Sequence, residues 1–392
     1  MYDVVIVGGA IIGSSIAWHL VSNPQFNGSV LVVEKDPSYE KSSTAATNSC
    51  IRQQFSNGLN IRISQYGLSY LKNFRERLGG DPGIPDITLD SFGYLYLADT
   101  IGYANSLKRN ACLHHEMEVS TEILDPGQLK NRFRDLNFDD ILLGSHNPVD
   151  EGYFDGHTMF YWWKRKAREN GAEYIENEVV GIEMGGNRVE RIRLANGGTV
   201  KAGALINAAG PEASRIARMV GSSLPVEPRQ CHNFVFDSRN PIECRLPLVI
   251  DPVGVHFRAD GQYYLCGCPP EEVDEMWRED DSEHEKFLWE NVAWPALAHR
   301  VPAFESAKVV NTWVGYYAYN TLDQNAVLGF HPDIANFIFA NGFSGHGLQQ
   351  SPAVGCGIAE LVIYGAYREL DLSPLGFDRI IENRPFLEKA II

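Results

Sequence analysis

Short apolar runs alternate with turn-forming residues at the start of the chain. Val4 to Val7 is a β-branched run typical of a buried parallel strand. After a glycine-rich turn at residues 8–13, the stretch SSIAWHLVS predicts a helix. A loop with Asn, Pro and Gly then leads to a second apolar run, SVLVVE, which ends at Glu34. The order strand, glycine turn, helix, strand and acid predicts a Rossmann-type βαβ unit.

Two later stretches show a similar pattern. Residues 203–221, GALINAAGPEASRIARMVG, predict an apolar strand, a small-residue turn and a helix. Residues 336–365, NFIFANGFSGHGLQQSPAVGCGIAELVIYG, predict a strand, a glycine-rich turn and a long apolar helix. We therefore expect three separated segments of the chain to meet in one sheet.

The turn GGAIIG differs at one position from the dinucleotide-binding pattern G-x-G-x-x-G, because Ala10 stands where a glycine is usual. Gly8 permits the tight turn, and Gly13 permits close packing of helix on strand. The helix start offers free N–H groups and a positive dipole to a pyrophosphate, and Glu34 suits ribose hydroxyls. The segment predicts a nucleotide site, the alternative being an ordinary α/β turn that binds nothing.

The region after Glu34 favours FAD over NAD. Residues 35–58, KDPSYEKSSTAATNSCIRQQFSNG, do not resemble a second crossover helix and are rich in Ser, Thr and Asn, which donate hydrogen bonds. An NAD site also does not need three converging segments, whereas FAD is longer and would reach all of them. We therefore predict an FAD site.

Composition excludes several classes of partner. The chain has 392 residues, 44% of them hydrophobic, and a net charge of −16, so it is globular and repels nucleic acid and anionic membranes. It has no apolar run of bilayer length, and we expect the mature chain to begin at its first strand and to be cytoplasmic. Its seven scattered cysteines argue against a disulfide framework. Cys266-x-Cys268 and the cluster LHHEM at 113–117 are weak metal signals, so we predict no metal site.

The chain resembles the D-amino-acid oxidase family of flavoproteins, in its glycine/sarcosine oxidase and dimethylglycine dehydrogenase branch, and most of all a mitochondrial subgroup of that family. The matching stretches, in chain order, are VVIVGGAIIGSSIAWHL, VVEK, SSTAATNS, IRQQFSNG, GYFDG, LINAAG, WVGYYAYNTLDQNAVLG and ANGFSGHGLQQSPAVG. They extend over nearly the whole sequence.

The resemblance implies a mixed α/β fold, in which a glutathione-reductase-type FAD-binding Rossmann domain is interleaved with an antiparallel-sheet substrate domain. The FAD domain would comprise residues 1–82, 153–222 and 322–392, and the substrate domain residues 83–152 and 223–321. The runs FGYLYLA at 92–98 and GVHFRADGQYYLCG at 254–267 would lie in the substrate sheet, over the flavin.

The reaction implied by the family is oxidation of the C–N bond of an N-substituted or secondary amino acid. Hydride passes to flavin N5, the resulting imine hydrolyses, and electrons go on to oxygen, an electron-transfer flavoprotein or a quinone-linked acceptor. Two alternatives remain open. One is an FAD-dependent 2-hydroxy-acid dehydrogenase. The other is a non-catalytic FAD-fold assembly factor, since the mitochondrial subgroup is associated with assembly of a respiratory complex.

The resemblance also implies roles for particular residues. Arg52 aligns with an arginine that binds the substrate carboxylate in sarcosine oxidases, which suits bidentate pairing, although an arginine in a surface ion pair is common. His346 lies on the turn that matches the family's flavin-contacting loop, at a helix start suited to stabilising negative charge on the reduced ring, the alternative being a histidine that only packs in the turn. His256 and Arg258 share one strand face that we expect to line the pocket, the alternative for Arg258 being an exposed strand position. Tyr316 and Tyr317 occupy positions that bind flavin or substrate in relatives, unless they serve only in packing.

Four departures from the family pattern change these expectations. Tyr316 stands where sarcosine oxidases carry a flavin-linking cysteine, so we predict non-covalent FAD. Gln349 replaces a lysine and Tyr317 an arginine of the substrate clamp, so sarcosine or glycine as the substrate is in doubt. The chain has no lysine from 202 to 285, where an oxygen-activating lysine would lie, which keeps a dehydrogenase open.

The predicted catalytic residues are Arg52, His256, Arg258, Tyr317, His346 and Gln349. The predicted FAD contacts are Gly8, Gly9, Ala10, Ile12, Gly13, Glu34, Lys35, Ser42, Ser43, Thr44, Thr47, Asn48, Ser49, Val179, Val180, Ala208, Ala209, Gly210, Tyr316, Gly342, Phe343, Ser344, Gly345, His346, Gly347, Leu348 and Gln349.

Overall fold

A computed structural model describes residues 1–272 and 282–389 of the chain. The strands are β1 Tyr2–Val7, β2 Val30–Glu34, β3 Cys50–Ile51, β4 Tyr94–Ala98, β5 Glu122–Leu124, β6 Leu143–Asn147, β7 Gly152–Tyr153, β8 Glu173–Glu176, β9 Val179–Gly185, β10 Arg188–Leu194, β11 Thr199–Val200, β12 Ala202–Asn207, β13 Val226–Asp237, β14 Leu248–Ile250, β15 His256–Asp260, β16 Tyr263–Gly267, β17 Glu271–Glu272, β18 Lys308–Asn320, β19 Val327–Phe330 and β20 Phe337–Asn341. The α-helices are α1 Ile11–Val21, α2 Gly58–Lys72, α3 Phe74–Arg77, α4 Ile101–Glu116, α5 Pro126–Arg132, α6 Gly156–Glu169, α7 Ala213–Met219, α8 Ser282–Leu288, α9 Trp294–Arg300, α10 Gly347–Tyr364 and α11 Asp378–Ile381.

The first sheet has six strands in the order β19-β20-β12-β1-β2-β8. Its pairs from β20 to β8 are parallel, and only the edge pair β19–β20 is antiparallel. β1 and β2 are central strands with layers on both sides, which explains why Val4–Val7 and Val30–Val33 are buried throughout. Helix α1 packs against α10 and α6 on one face of this sheet. The predicted βαβ unit is therefore present.

The second sheet has nine strands, in the order β17-β13-β16-β15-β14-β4-β6-β5 with β18 paired to β13. All its pairs are antiparallel except the parallel pair β14–β4. Phe234, Phe236 and Phe257 from one face pack against Phe304 in a shared core. Because side chains alternate along a strand, Cys231 and Asn233 of β13 point to the other face. A three-stranded sheet, β11-β10-β9, and the two-stranded pair β3-β7 complete the described strands.

This arrangement confirms the predicted fold class. Every strand of the six-stranded sheet comes from the segments 1–82, 153–222 and 322–392, and every strand of the nine-stranded sheet from 83–152 and 223–321. The domain boundaries remain a prediction, which this division of strands supports. Residues 273–281 of the second set and 390–392 of the first lie outside the described residues. None of the helices within the described residues is long and apolar enough to span a bilayer.

Candidate active site

A cavity of about 670 Å³ opens at the carboxyl ends of the parallel strands β1, β2 and β12. It extends to the nine-stranded sheet, where Cys231, Asn233 and His256 line it, and to the start of α10. Its size is within the range of about 300–1,000 Å³ that is usual for cofactor and ligand pockets. Ligands of open α/β sheets bind at this edge, so the cavity is the candidate site.

Two glycines are required by the packing of the first turn. Gly8 has φ +96°, and a Cβ there would lie 2.4 Å from the carbonyl oxygen of Ala208. A Cβ on Gly13 would lie 1.9 Å from the carbonyl oxygen of Gly8. Ala10 lines the cavity directly before α1, so its methyl group is accommodated at the position where the dinucleotide-binding pattern has glycine.

Glu34 is fixed at the tip of β2 by backbone donors. Its carboxylate accepts the N–H of Gly9 at 2.8 Å and the N–H of Asp36 at 2.9 Å. The hydroxyl of Thr44 accepts the N–H of Ile11, the first residue of α1, at 3.2 Å. These contacts hold the turn, the acid and the helix start together, with Glu34 in the cavity wall. A dinucleotide site uses the start of this helix and a carboxylate at the tip of the second strand, and both lie in the cavity wall.

The Ser- and Thr-rich segment 42–49 closes over the cavity and is fastened to β18. The Ser43 hydroxyl donates to the Tyr316 carbonyl, and Trp313 Nε1 donates to the Ala46 carbonyl at 3.1 Å. Gly315 allows the close approach, because a Cβ there would lie 2.7 Å from the Ala46 Cβ. The segment thus forms a wall between the two sheets.

Arg52 lies at the inner end of the cavity and is 1% exposed. Its guanidinium donates to the Gln54 carbonyl at 2.5 Å and to Nε2 of His346 at 2.8 Å, and it lies 4.1 Å from the centroid of the Phe55 ring. An arginine is always a donor, so His346 Nε2 is the acceptor and the imidazole is neutral. Burial, reinforced by the charge of Arg52, holds the pKa of His346 well below its usual value.

The glycine turn before α10 shapes the same end of the cavity. Gly345 has φ +92°, and a Cβ there would lie 2.8 Å from the Tyr317 ring. The Gln349 side chain accepts the backbone N–H of Arg52 at 2.9 Å. The first turn of α10 therefore both lines the cavity and orients the Arg52 segment.

A fully buried carboxyl, that of Glu151, supports the Arg52 segment from behind. It accepts the N–H groups of Gln53 at 2.5 Å and Gln54 at 2.9 Å, and the Gln54 side-chain amide at 3.0 Å. Burial raises the pKa of Glu151 to about 7 in spite of these donors. Glu151 is thus not among the residues that line the cavity, and it acts by positioning the Arg52 segment.

The wall formed by the nine-stranded sheet is neutral. His256 is buried over Gly267, where a Cβ would lie 2.4 Å from the imidazole, and burial lowers the pKa of His256 to about 4. The Asn48 amide donates to Asn233 Oδ1 at 3.1 Å. Tyr317 lies against Cys231, and burial raises its pKa well above the usual value for tyrosine. At neutral pH these groups carry no charge.

The family model for FAD dependent oxidoreductases, DAO, matches residues 3–361. The chain belongs to the DAO family. FAD is therefore its cofactor, and the glycine turn, the helix start, Glu34 and the long cavity described above fit that group. The sequence-based recognition of this family is confirmed.

Curated relatives agree with this assignment to the DAO family. The chain is 38% identical to FAD-dependent oxidoreductase domain-containing protein 1 of Xenopus laevis, over 100% of this chain and 85% of that protein. It is 35% identical to the Bos taurus protein of the same name, over 100% and 87%. Human mitochondrial sarcosine dehydrogenase is more distant, at 24% identity over 93% of this chain and 40% of the enzyme.

Solved structures share the fold of this DAO-family chain. L-proline dehydrogenase from P. horikoshii superimposes with a TM-score of 0.81 at 24% identity, covering 98% of both chains. Glycine oxidase from Geobacillus kaustophilus gives 0.77 at 23% identity, covering 96% of this chain and 98% of that one. The similarity to these two structures shows a shared fold.

Most residues predicted for the site of this DAO-family protein do line the cavity. Of the predicted catalytic residues these are Arg52, His256, Tyr317, His346 and Gln349. Of the predicted FAD contacts they are Gly8, Ala10, Ile12, Glu34, Lys35, Ser42, Ser43, Thr44, Thr47, Asn48, Ser49, Val179, Ala208, Ala209, Gly210, Tyr316, Phe343, Gly345, His346, Gly347, Leu348 and Gln349. Their roles remain predictions.

The structure leaves six predicted residues out of the cavity wall, namely Gly9, Gly13, Val180, Arg258, Gly342 and Ser344. The Val180 side chain is exposed on the face of β9 opposite the buried Val179. Arg258 is buried and ion-paired with Asp260 at 2.7 Å, with its guanidinium 5.3 Å from the centroid of the Tyr153 ring. Ser344 instead accepts the N–H of Asn320 at 3.0 Å, and so shapes the turn that precedes α10.

Several residues that line the cavity lie outside the sequence motifs and are not among the predicted site residues. Examples are Tyr39, Tyr94, Asn177, Glu178, Arg215, Cys231, Asn233 and Leu248. Arg215 pairs with Glu212 at 2.8 Å and Glu178 at 2.9 Å, at the end of the cavity where Lys35 also pairs with Glu212. The sequence signal for this end of the cavity is the pair Glu212 and Arg215, which follows LINAAG, a turn that is itself predicted to contact FAD.

Proposed function

We propose that the chain oxidises the C–N bond of an N-substituted or secondary amino acid, with FAD bound non-covalently. The supporting observation is the position of Arg52 at the inner end of the cavity. Among the described cavity residues it is the only buried cation, since Lys35, Lys41 and Arg215 are partly or fully exposed. A carboxylate is the natural counter-charge for such a guanidinium.

FAD, when bound, supplies the acceptor for the hydride and its two electrons. The chain's own residues bind and orient the substrate. Arg52 fixes the carboxylate, and its orientation is set by His346, Gln349 and the Glu151 network. The neutral wall of His256, Asn48 and Tyr317 adds no charge that would repel or protonate the amine. The glycine turns admit the cofactor, and the first turn of α10 has N–H groups without intrahelical acceptors.

Substrate class is tested by anaerobic bleaching of the bound flavin. The panel contains secondary, N-methyl and primary amino acids, and 2-hydroxy acids of matching size. Bleaching by an amino or imino acid supports the proposal. Bleaching only by 2-hydroxy acids identifies the alternative dehydrogenase, and an unreactive flavin across the panel contradicts the substrate class. A preparation that takes up no flavin contradicts the enzymatic role altogether.

The role of Arg52 is tested by the substitution Arg52→Lys with paired substrates, an amino acid and its methyl ester. A charged hydrogen bond contributes about 1.5–3 kcal/mol, so kcat/KM for the acid should fall about 10-fold to 150-fold. The ester, which has no carboxylate, should be affected far less. An equal loss for both substrates would contradict carboxylate recognition by Arg52.

The acceptor is tested by reoxidation of the substrate-reduced protein. The sequence has no lysine from 202 to 285, and neutral side chains line the cavity on that wall. We therefore expect slow reaction with oxygen and faster reaction with an electron-transfer flavoprotein or a quinone analogue. Rapid reoxidation by oxygen alone would instead assign the chain as an oxidase.

A further inference from the structure

We propose that His232, Glu271 and His284 form a binding site for a divalent transition-metal ion of the zinc class. Their ligand atoms all lie within 4.8 Å of one another. Nε2 of His284 is 2.7 Å from Oε2 of Glu271, and the centroids of the two imidazole rings are 5.3 Å apart. This proposal departs from the sequence-based expectation of no metal site.

Three elements of the fold bring these side chains together. His232 lies in the middle of β13, Glu271 begins β17 and His284 is in the first turns of α8. β17 pairs with β13, Gln230 opposite Glu271 and Arg229 opposite Glu272. Arg229 and Glu272 form an ion pair at 2.9 Å, which fixes the short strand.

The site is separate from the flavin cavity. Cys231 and Asn233, the neighbours of His232 in β13, both line that cavity. Side chains alternate along a strand, so His232 projects from the opposite face of the sheet. That face also carries Phe234, whose ring centroid is 5.4 Å from that of Trp289. A metal ion would therefore bind behind the wall of the substrate cavity, with no contact to FAD.

The donor set determines the class of ion. Two imidazoles and a carboxylate suit Zn²⁺, Co²⁺, Ni²⁺ or Cu²⁺, whereas Mg²⁺ and Ca²⁺ prefer oxygen ligands only. With metal–ligand bonds of about 2.0–2.2 Å, the donors of a tetrahedral site are separated by about 3.4 Å. The present spacing, up to 4.8 Å, requires a closure of about 1.4 Å. Rotations of Glu271 and His284, each more than a third exposed, provide this movement.

Binding would link α8 to the nine-stranded sheet. An imidazole binds a metal ion through a ring nitrogen that carries no proton, so the ion would replace the present contact between Nε2 of His284 and Glu271. Three protein ligands leave a position for water. Since the ligands belong only to the folded arrangement, the ion would also stabilise the fold by mass action.

The test uses the flavin-loaded full chain, stripped of metal with a chelator and titrated with Zn²⁺ against a chromophoric competitor. We expect one equivalent to bind, and His284→Ala and Glu271→Gln each to weaken binding at least 10-fold. The His284 side chain is 38% exposed, so its replacement should preserve folding, which circular dichroism and flavin content would check. The matched control is His299→Ala, because His299 also contacts a carboxylate, that of Asp140 at 3.4 Å, but is not part of the cluster. The His299→Ala variant should bind Zn²⁺ with the affinity of the wild type.

Co²⁺ supplies a second readout that is independent of activity. Nitrogen and oxygen ligands give d–d bands without a sulfur-to-cobalt charge-transfer band, and the flavin spectrum should not change. No tight binding by the wild-type chain would overturn the proposal. Equal binding by His284→Ala would also overturn it, and a thiolate band would assign the ion to cysteine ligands elsewhere.

Discussion

The buried carboxyl of Glu151 leads to a quantitative prediction of how the free energy of unfolding depends on pH. It is fully buried behind Arg52, and burial raises its pKa to about 7, whereas its ordinary value is 4.5. The folded protein therefore holds this proton more tightly than the unfolded chain. The stability that the group contributes is complete below about pH 4.5 and is lost as pH rises towards 7. The loss totals about 3 kcal/mol, of which about 1 kcal/mol falls between pH 6 and pH 8.

The perturbation is Glu151→Gln, which removes the titration but keeps the size of the side chain. Gln also places an amide where the Gln54 amide now donates, so the variant carries a fixed hydrogen-bond penalty. That penalty is independent of pH. Relative to the variant, the wild type should thus lose about 1 kcal/mol between pH 6 and pH 8. Urea unfolding of both proteins at the two pH values, with the same flavin concentration, measures the difference.

Either of two results would refute this reasoning. If the difference between the proteins is independent of pH, Glu151 does not titrate in this range. If the wild type becomes more stable relative to the variant as pH rises, the three donors and the nearby guanidinium outweigh burial, and the pKa of Glu151 is depressed. Carbon-13 NMR of labelled glutamate would show the titration directly.

Three further predictions concern the cofactor and the fold. Gly13→Ala should reduce FAD affinity at least tenfold, because the added Cβ would lie 1.9 Å from the Gly8 carbonyl oxygen. The measurement is flavin absorbance per protein. In the control variant Gly102→Ala the added Cβ has no neighbour within 4 Å, so FAD affinity should be unchanged. Glu34→Ala removes the acceptor for the N–H groups of Gly9 and Asp36 and should weaken FAD binding about tenfold while circular dichroism is preserved. Arg300→Leu leaves the buried Asp251 without its cation, 2.8 Å away in the folded chain, and should cost about 3–5 kcal/mol in urea unfolding.

Sequence patterns predicted those parts of the site that depend on local geometry. Gly8, Gly13 and Glu34 lie within one βαβ unit, where close approach of a helix to a strand leaves few residue choices. The same holds for the turn before α10, where Gly345 takes a positive φ beside Tyr317. Contacts that depend on long-range strand pairing were not predictable. Leu248 reaches the cavity because β14 pairs in parallel with β4, which also carries Tyr94.

Arg258 and Glu151 show two different reasons why a pattern misleads. His256 and Arg258 do share a strand face, but two residues along a strand are about 6.6 Å apart, and the cavity extends only to His256. Beyond it, Arg258 is paired with Asp260. Glu151 follows Asp150 in a polar turn and resembles a surface acid in the sequence. Only the fold shows that its carboxyl is enclosed by the backbone of Gln53 and Gln54.

The charges around the inner cavity bear on the protonation state of a bound amine. The guanidinium of Arg52 is a cation. Burial keeps His256 neutral by lowering its pKa to about 4, and burial together with the charge of Arg52 holds the pKa of His346 well below its usual value. Neither imidazole therefore changes charge between pH 6 and pH 8, and neither adds positive charge beside the substrate nitrogen. A single fixed cation favours a substrate carboxylate and disfavours an ammonium group close to it. For the amino acid substrate proposed above, the cavity would therefore favour the anionic form, whose amine has already lost the proton that would block removal of hydride from the adjacent carbon.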